Sequence, residues 1–235
     1  VLYEKMMTSS RDKILNKLRE ARKPFPDAPP RPKEYYPVAV IDDFTPDGLL
    51  ARFTRELEAL FGQVFVAEGD EAARDCVLDI MRSHNTTQII AWDFAHIPVA
   101  GLEGAIREAG IEIMHPEMHD EFRMESIEAI RGAQIGLTGA DYAIAATGTL
   151  AFSTGPGKGR LPTVIAPVLL VVITLDQIIP RMEEWVAIQR ANGLDIANAS
   201  ANVAFTSGPS RTADISMELV RGVHGSGEVR VVVKR

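Results

Sequence analysis

From Thr45 onward the apolar residues of this chain change period repeatedly, and that alternation constrains the fold more than any other feature. Leu50, Phe53, Leu57 and Leu60 recur at helical spacing after Thr45-Pro46-Asp47, where threonine suits a cap and proline the first helical position. Gly62 closes the pattern, and Gln63–Ala67 reads as a short strand. The exchange continues with a helix over residues 71–82, a strand over 87–92, a helix over 102–109 ended by Gly110, and a strand over 111–114. A helix over 126–131 leads to short strands at Ile135–Thr138, 142–146 and Thr149–Ser153, then to a buried strand at 168–173. A helix over 180–191, a strand at Val203–Thr206, a helix running to Arg221 and a last strand at 228–233 complete the pattern. Helices alternating with short strands require crossover connections, so the expected class is α/β with a mostly parallel sheet.

The first 37 residues differ from this body. A helix is expected over 10–22, with Ile14, Leu15 and Leu18 on one side, and six prolines between 24 and 37 make an extended tether. The expected organisation is therefore a helix and tether (1–37) followed by one domain (38–235). Residues 1–37 carry a net charge of +4 within a chain of −7, which leaves an acidic body. Nucleic-acid binding needs a basic face, so this balance argues against it. The longest apolar run, residues 164–173, is far below the ~20 residues of a membrane span. No signal-peptide pattern is visible, and a cytoplasmic location is expected. The single cysteine, Cys76, excludes an internal disulfide and cannot alone hold an iron–sulfur cluster; its place on an apolar stripe suggests a buried core thiol.

Candidate chemistry concentrates in the C-terminal half. Ser207-Gly208-Pro209-Ser210-Arg211-Thr212-Ala213-Asp214 lies between an apolar strand and a segment whose Ile215, Leu219 and Val220 suggest a helix. A helix entrance there would offer unpaired N–H groups beside two hydroxyls and a guanidinium, which suits an anion. The plainer reading, the usual one for such turns, is a helix cap with Arg211 in solvent. Thr147-Gly148-Thr149 implies close backbone approach, to a strand or to a ligand. The loop Gly155-Pro156-Gly157-Lys158-Gly159-Arg160 has two cations among glycines. Leu161-Pro162 interrupts any following helix, so it is no P-loop; a mobile loop carrying Lys158 or Arg160 to an anion is the functional reading. His115 and His119 are four apart but sit around Pro116, where a surface turn is the simpler reading than a metal site. Ser210, Asp214 and His224 hold the side chains of a hydrolase triad without its G-x-S-x-G elbow.

Together these segments resemble the LUD domain family, the lactate-utilisation proteins of the LutC/YkgG type. The family pattern runs GAD-x-A-I-A-E-T-G-T, a G-R step with L-P, T-G-P-S-R-T-A-D-I and G-V-H-G. This chain has GADYAIAATGT at 139–149, GKGRLP at 157–162, TSGPSRTADI at 206–215 and GVHG at 222–225, in the same order. The resemblance implies a three-layer α/β fold of the NagB/RpiA/CoA-transferase type. It also implies a role in oxidising L-lactate to pyruvate alongside iron–sulfur partner proteins. One departure stands out: Ala146 occupies the family's glutamate position, so a mechanism built on that carboxylate is unavailable here.

The expected function is an accessory component of L-lactate utilisation that binds a small anion, either the 2-hydroxy acid or a phosphorylated cofactor. Its binding residues would be Thr147, Gly148, Thr149, Lys158, Arg160, Gly208, Ser210, Arg211, Thr212 and His224. No metal and no membrane insertion are expected, and the sequence names no cofactor. Two rivals remain: a stand-alone enzyme of the CoA-transferase or sugar-phosphate isomerase type, and a structural assembly subunit docking through residues 1–37.

Overall fold

The computed structural model describes residues 10–21, 39–115, 123–193, 196, 199–213 and 219–235. The chain divides into two units, Val1–Pro37 and Val38–Arg235. In the first, helix α1 spans Ser10–Ala21, and Ile14 and Leu18 are exposed on it.

In the second unit, six strands form one wholly parallel sheet. They are β1 (Gln63–Ala67), β2 (Gln88–Ala91), β3 (Glu112–Met114), β4 (Ile135–Thr138), β7 (Val168–Thr174) and β12 (Glu228–Lys234). Their order across the sheet is β1-β12-β7-β4-β2-β3. The central strand β7 is a continuous apolar run, Val168 to Ile173, buried throughout, as a parallel strand covered on both faces must be. Helices α2 (Pro46–Ala59), α3 (Gly69–Ser83), α4 (Leu102–Glu108), α5 (Arg123–Ile130) and α6 (Met182–Ala191) fill the intervals. Thr45 caps α2, its hydroxyl accepting from Gly48 N at 3.1 Å, and Pro46 takes the first turn. Phe53 and Leu57 of α2, and Ala73, Val77 and Met81 of α3, are fully buried in the main core.

A second sheet, in the order β8-β5-β6-β9, joins β5 (Tyr142–Ile144), β6 (Thr149–Ser153), β8 (Ile178–Ile179) and β9 (Val203–Thr206). Here β6 pairs antiparallel with both β5 and β9. The strand expected over 142–146 stops at Ile144, and Ala145–Thr147 forms a 3-10 turn closed by Gly148 at φ +56°.

The segment after β9 overturns an expectation. Arg211–Ala213 is a strand, β10, paired antiparallel with β11 (Leu219–Arg221), so among the described residues no helix follows Ser210 or reaches Arg221. Leu219 and Val220 matched a helical period over too few residues to exclude a strand. The cross-strand pair Thr212–Val220 sets two β-branched residues opposite each other, which suits a ladder. The anion site at a helix entrance, with its dipole, is withdrawn.

Candidate functional site

The parallel sheet marks out a crevice. The chain leaves β2 outward to the edge strand β3 but leaves β4 toward β7, in the opposite direction. Where neighbouring strands send their connections opposite ways, a crevice opens at their carboxyl ends, and ligands of α/β proteins bind there. Trp92, Asp93 and the 3-10 turn Phe94–His96 follow β2; Gly139, Ala140 and Asp141 follow β4. Asp93 caps its turn, accepting from Ala95 N at 2.9 Å.

The glycine loop is seated on this crevice. Gly157 O accepts from Asp93 N at 2.8 Å, and Gly159 O accepts from Trp92 Nε1 at 2.8 Å. His96 Nε2 lies 3.1 Å from Pro156 O. Lys158 Nζ donates to Asp141 Oδ1 at 2.5 Å and to Ser153 Oγ at 3.0 Å, and sits 5.3 Å from the centre of the Trp92 ring. Further along, the loop passes so close to β4 that a Cβ on Gly136 would stand 1.8 Å from Pro162 O. The expected mobile loop is thus tied at both ends of its glycine run. Its two cations have different fates: Lys158 is neutralised by Asp141, whereas Arg160 has no acidic partner among the described residues. Two cavities flank the loop. One, of about 750 Å³, is lined by Asp93, Phe94, Glu103, His115 and Arg160; the other, of about 400 Å³, by Trp92, Asp141, Ser153, Lys158 and Gln177.

The later motifs meet elsewhere, beside the amino ends of β7 and β12. Ser210 N donates to Ser226 O at 2.8 Å and Gly222 N to Ser210 O at 2.9 Å, which ties the 207–211 segment to the 222–226 turn. A cavity of about 350 Å³ lies between them, lined by Ser207, Gly208, Ser210, Arg211, His224 and Ser226. Arg211 and His224 are exposed and, among the described residues, make no hydrogen bond or ion pair. Arg211 stands directly across the ladder from Arg221, whose guanidinium lies 5.3 Å from the centre of the Phe61 ring. Thr212 is half-buried and does not line this cavity.

Thr147, Gly148 and Thr149 lie where the chain meets the end of α2. A Cβ on Gly148 would stand 2.4 Å from Leu57 N, and one on Gly208, at φ +78°, would stand 2.6 Å from Leu60 O. Both glycines therefore let the end of α2 approach. Thr149 Oγ1 bonds Thr147 Oγ1 at 2.7 Å and Ser207 Oγ at 2.6 Å, a hydroxyl chain joining the two motifs. Ala146 is buried beside it, its N–H donating to Pro180 O at 2.9 Å.

The ten expected binding residues are therefore divided: Lys158 and Arg160 at the carboxyl-end crevice, Gly208, Ser210, Arg211 and His224 at the amino end, Thr212 in the β10–β11 ladder beside them, and the Thr147–Thr149 turn against α2. Asp93, Phe94 and Glu103 escaped the sequence reading, although a polar residue directly after a buried parallel strand is a usable signal for Asp93. His115 turns Nδ1 toward Ala91 O at 3.3 Å and packs edge-on against Phe94; His119 lies outside the described residues, as does Asp214 of the considered triad. Among the described residues no group of three or more His, Cys, Asp and Glu could hold a metal, and no helix is long and apolar enough to cross a membrane. Cys76 is half-buried rather than sealed in the core, and burial, with the charge of Asp79, pushes its thiol pKa up.

Comparison with known proteins agrees with this architecture. A Deinococcus radiodurans protein of the DUF162 family, of known crystal structure, superposes with a TM-score of 0.56 at 18% identity, over 82% of this chain and all of that one. At such identity the likeness speaks for the fold. "Lactate utilization protein C" of Halalkalibacterium halodurans is 29% identical over 147 residues, 63% of this chain and 62% of that protein. "Lactate utilization protein C" of Shouchella clausii is 30% identical over 156 residues, 66% of this chain and 64% of that protein. The alignments thus span somewhat under two thirds of these relatives. The sequence profile of the LUD domain matches residues 50–233, from α2 to the last strand of the parallel sheet. With the motifs falling in order along that same span, the chain belongs to the LUD domain family.

Proposed function

We propose that this protein is a component of a lactate-utilisation system and holds a small carboxylate anion in the cavity between Ser210, Arg211 and His224. The names of its relatives support the system. The single observation that carries the site is Arg211. Its guanidinium opens onto a cavity with serine hydroxyls and an imidazole, and no acid neutralises it among the described residues. Arg221 directly opposite adds like charge on the same side of the ladder, an arrangement that an anion relieves. One cysteine in these 235 residues cannot ligate an iron–sulfur cluster, so electron transfer would run through partner proteins, the iron–sulfur ones implied by the resemblance, or through a bound organic cofactor.

Calorimetric titration with lactate and with pyruvate tests the site. Binding by the natural chain, weakened about ten-fold or more in Arg211→Ala, is the expected result, since a charge-assisted contact is lost. Equal affinity in both proteins removes Arg211 from the site.

A further inference from the structure

The 750 Å³ cavity at the carboxyl-end crevice is separate from the Arg211 cavity and does not rest on the reading just given. Its size falls within the roughly 300–1,000 Å³ of small-molecule sites, and a three-carbon hydroxy acid would leave most of it empty. Its lining has three chemistries. Arg160 supplies an unpaired cation, beside the backbone N–H groups of Gly157, Gly159 and Arg160, which meet no acceptor among the described residues. A glycine-rich turn that presents several free N–H groups is a ready cradle for phosphate oxygens, and a guanidinium completes it. Two carboxylates also line the cavity: Asp93, next to Gly157, accepts from the neutral Ala95 N–H, and Glu103 is paired with Arg107 at 2.8 Å. Both carboxylates can accept hydrogen bonds from sugar hydroxyls, and the Arg107 guanidinium offsets the charge of Glu103. The third element is apolar: Phe94, packed edge-on against His115 with ring centres 6.0 Å apart, together with Leu161 and Pro162.

We propose that this cavity is a nucleotide site, taking a mononucleotide with its phosphate on Gly157–Arg160, its ribose hydroxyls toward Asp93 and Glu103, and its base against Phe94. The fastening of the loop supports this. Gly157 O and Gly159 O are held from below by Asp93 N and Trp92 Nε1, which leaves the neighbouring N–H groups free for a ligand. Gly157 can hold this shape because its φ is +71° and a side chain would collide with Asp93 Cβ at 2.8 Å.

Titration of the full chain with AMP, adenosine and inorganic pyrophosphate in parallel tests the assignment. AMP is expected to bind, and adenosine to bind about ten-fold or more weakly for want of the phosphate contact. Arg160→Ala should weaken AMP about ten-fold while leaving adenosine unchanged, and Arg211→Ala should leave AMP unchanged. Gly159→Val is the second variant: nothing lies within 4 Å of the new Cβ, so the fold tolerates it while the cradle is obstructed, and AMP should again weaken. AMP binding should also perturb Trp92 fluorescence, because the indole is bonded to Gly159. No AMP binding at millimolar concentration, or AMP affinity equal in Arg160→Ala, overturns the site. Pyrophosphate bound as tightly as AMP overturns the nucleotide assignment, since the base and ribose would then contribute nothing.

Discussion

Lys158 Nζ meets Asp141 Oδ1 at 2.5 Å, and this contact fastens the glycine loop to the end of the strand Ile135–Thr138. The two side chains are only 17% and 20% exposed, and Ser153 Oγ and the Trp92 ring complete the ammonium's surroundings. Two motifs that looked like separate binding elements are thereby halves of one support.

Removing one partner should therefore cost more than removing both. Asp141→Asn leaves a largely buried ammonium without its counter-charge and should destabilise the fold by about 1–3 kcal/mol. Lys158→Met in the same background should restore part of that loss. Urea unfolding of the two single variants and the double variant measures the coupling; additive effects would show that the pair does not hold the loop.

Gly148 and Gly155 make a contrasting pair. Alanine at Gly148 must adopt φ +56° and bring its Cβ within 2.4 Å of Leu57 N, so α2 has to move. A loss of about 2–4 kcal/mol is expected, through strain and overpacking together. Alanine at Gly155 meets nothing within 4 Å and should change stability by about 0.5 kcal/mol or less. Thermal melts of the two variants decide whether the Thr147–Thr149 turn is a packing element.

Burial, with the nearby Asp79, raises the Cys76 thiol above its ordinary range, which lowers the thiolate fraction at neutral pH. Alkylation by iodoacetamide at pH 7.5 should be about ten-fold slower in the folded protein than in urea, and should accelerate as pH rises. Equal rates folded and unfolded would mean that the half-buried position does not protect the thiol.

Glu228 accepts from Arg230 Nη2 at 2.7 Å and lies 3.2 Å from His84 Nε2, contacts that hold its carboxyl below the usual range against the opposing effect of burial. A lowered carboxylate pKa contributes stability that is complete above the unfolded value, about 4.3, and is lost as pH falls through the folded one. Glu228→Gln should accordingly lower the melting temperature slightly at pH 7 and make less difference below about pH 4. The side chain is 48% exposed, so solvent screening keeps the contribution to about 0.5 kcal/mol or less.

Local pattern was enough to read most of this protein's elements. The cap at Thr45 with Pro46, the helical period of Leu50, Phe53 and Leu57, and the apolar run at 168–173 depend on neighbours within a few residues, so their structure is written in the chain itself. The order of the motifs likewise pointed to the LUD family before any contact was known. What spans the sequence could not be read that way. Leu219 and Val220 fit a helix until Thr212 and Ala213 were found across from them. Lys158 looked like a free cation until Asp141, seventeen residues earlier, was found beside it. Gly148 looked like a ligand glycine until the backbone of α2 was found against it. In each case propensity and spacing left two local states close in energy, and pairing or packing with a distant segment, which only the tertiary structure supplies, selected one.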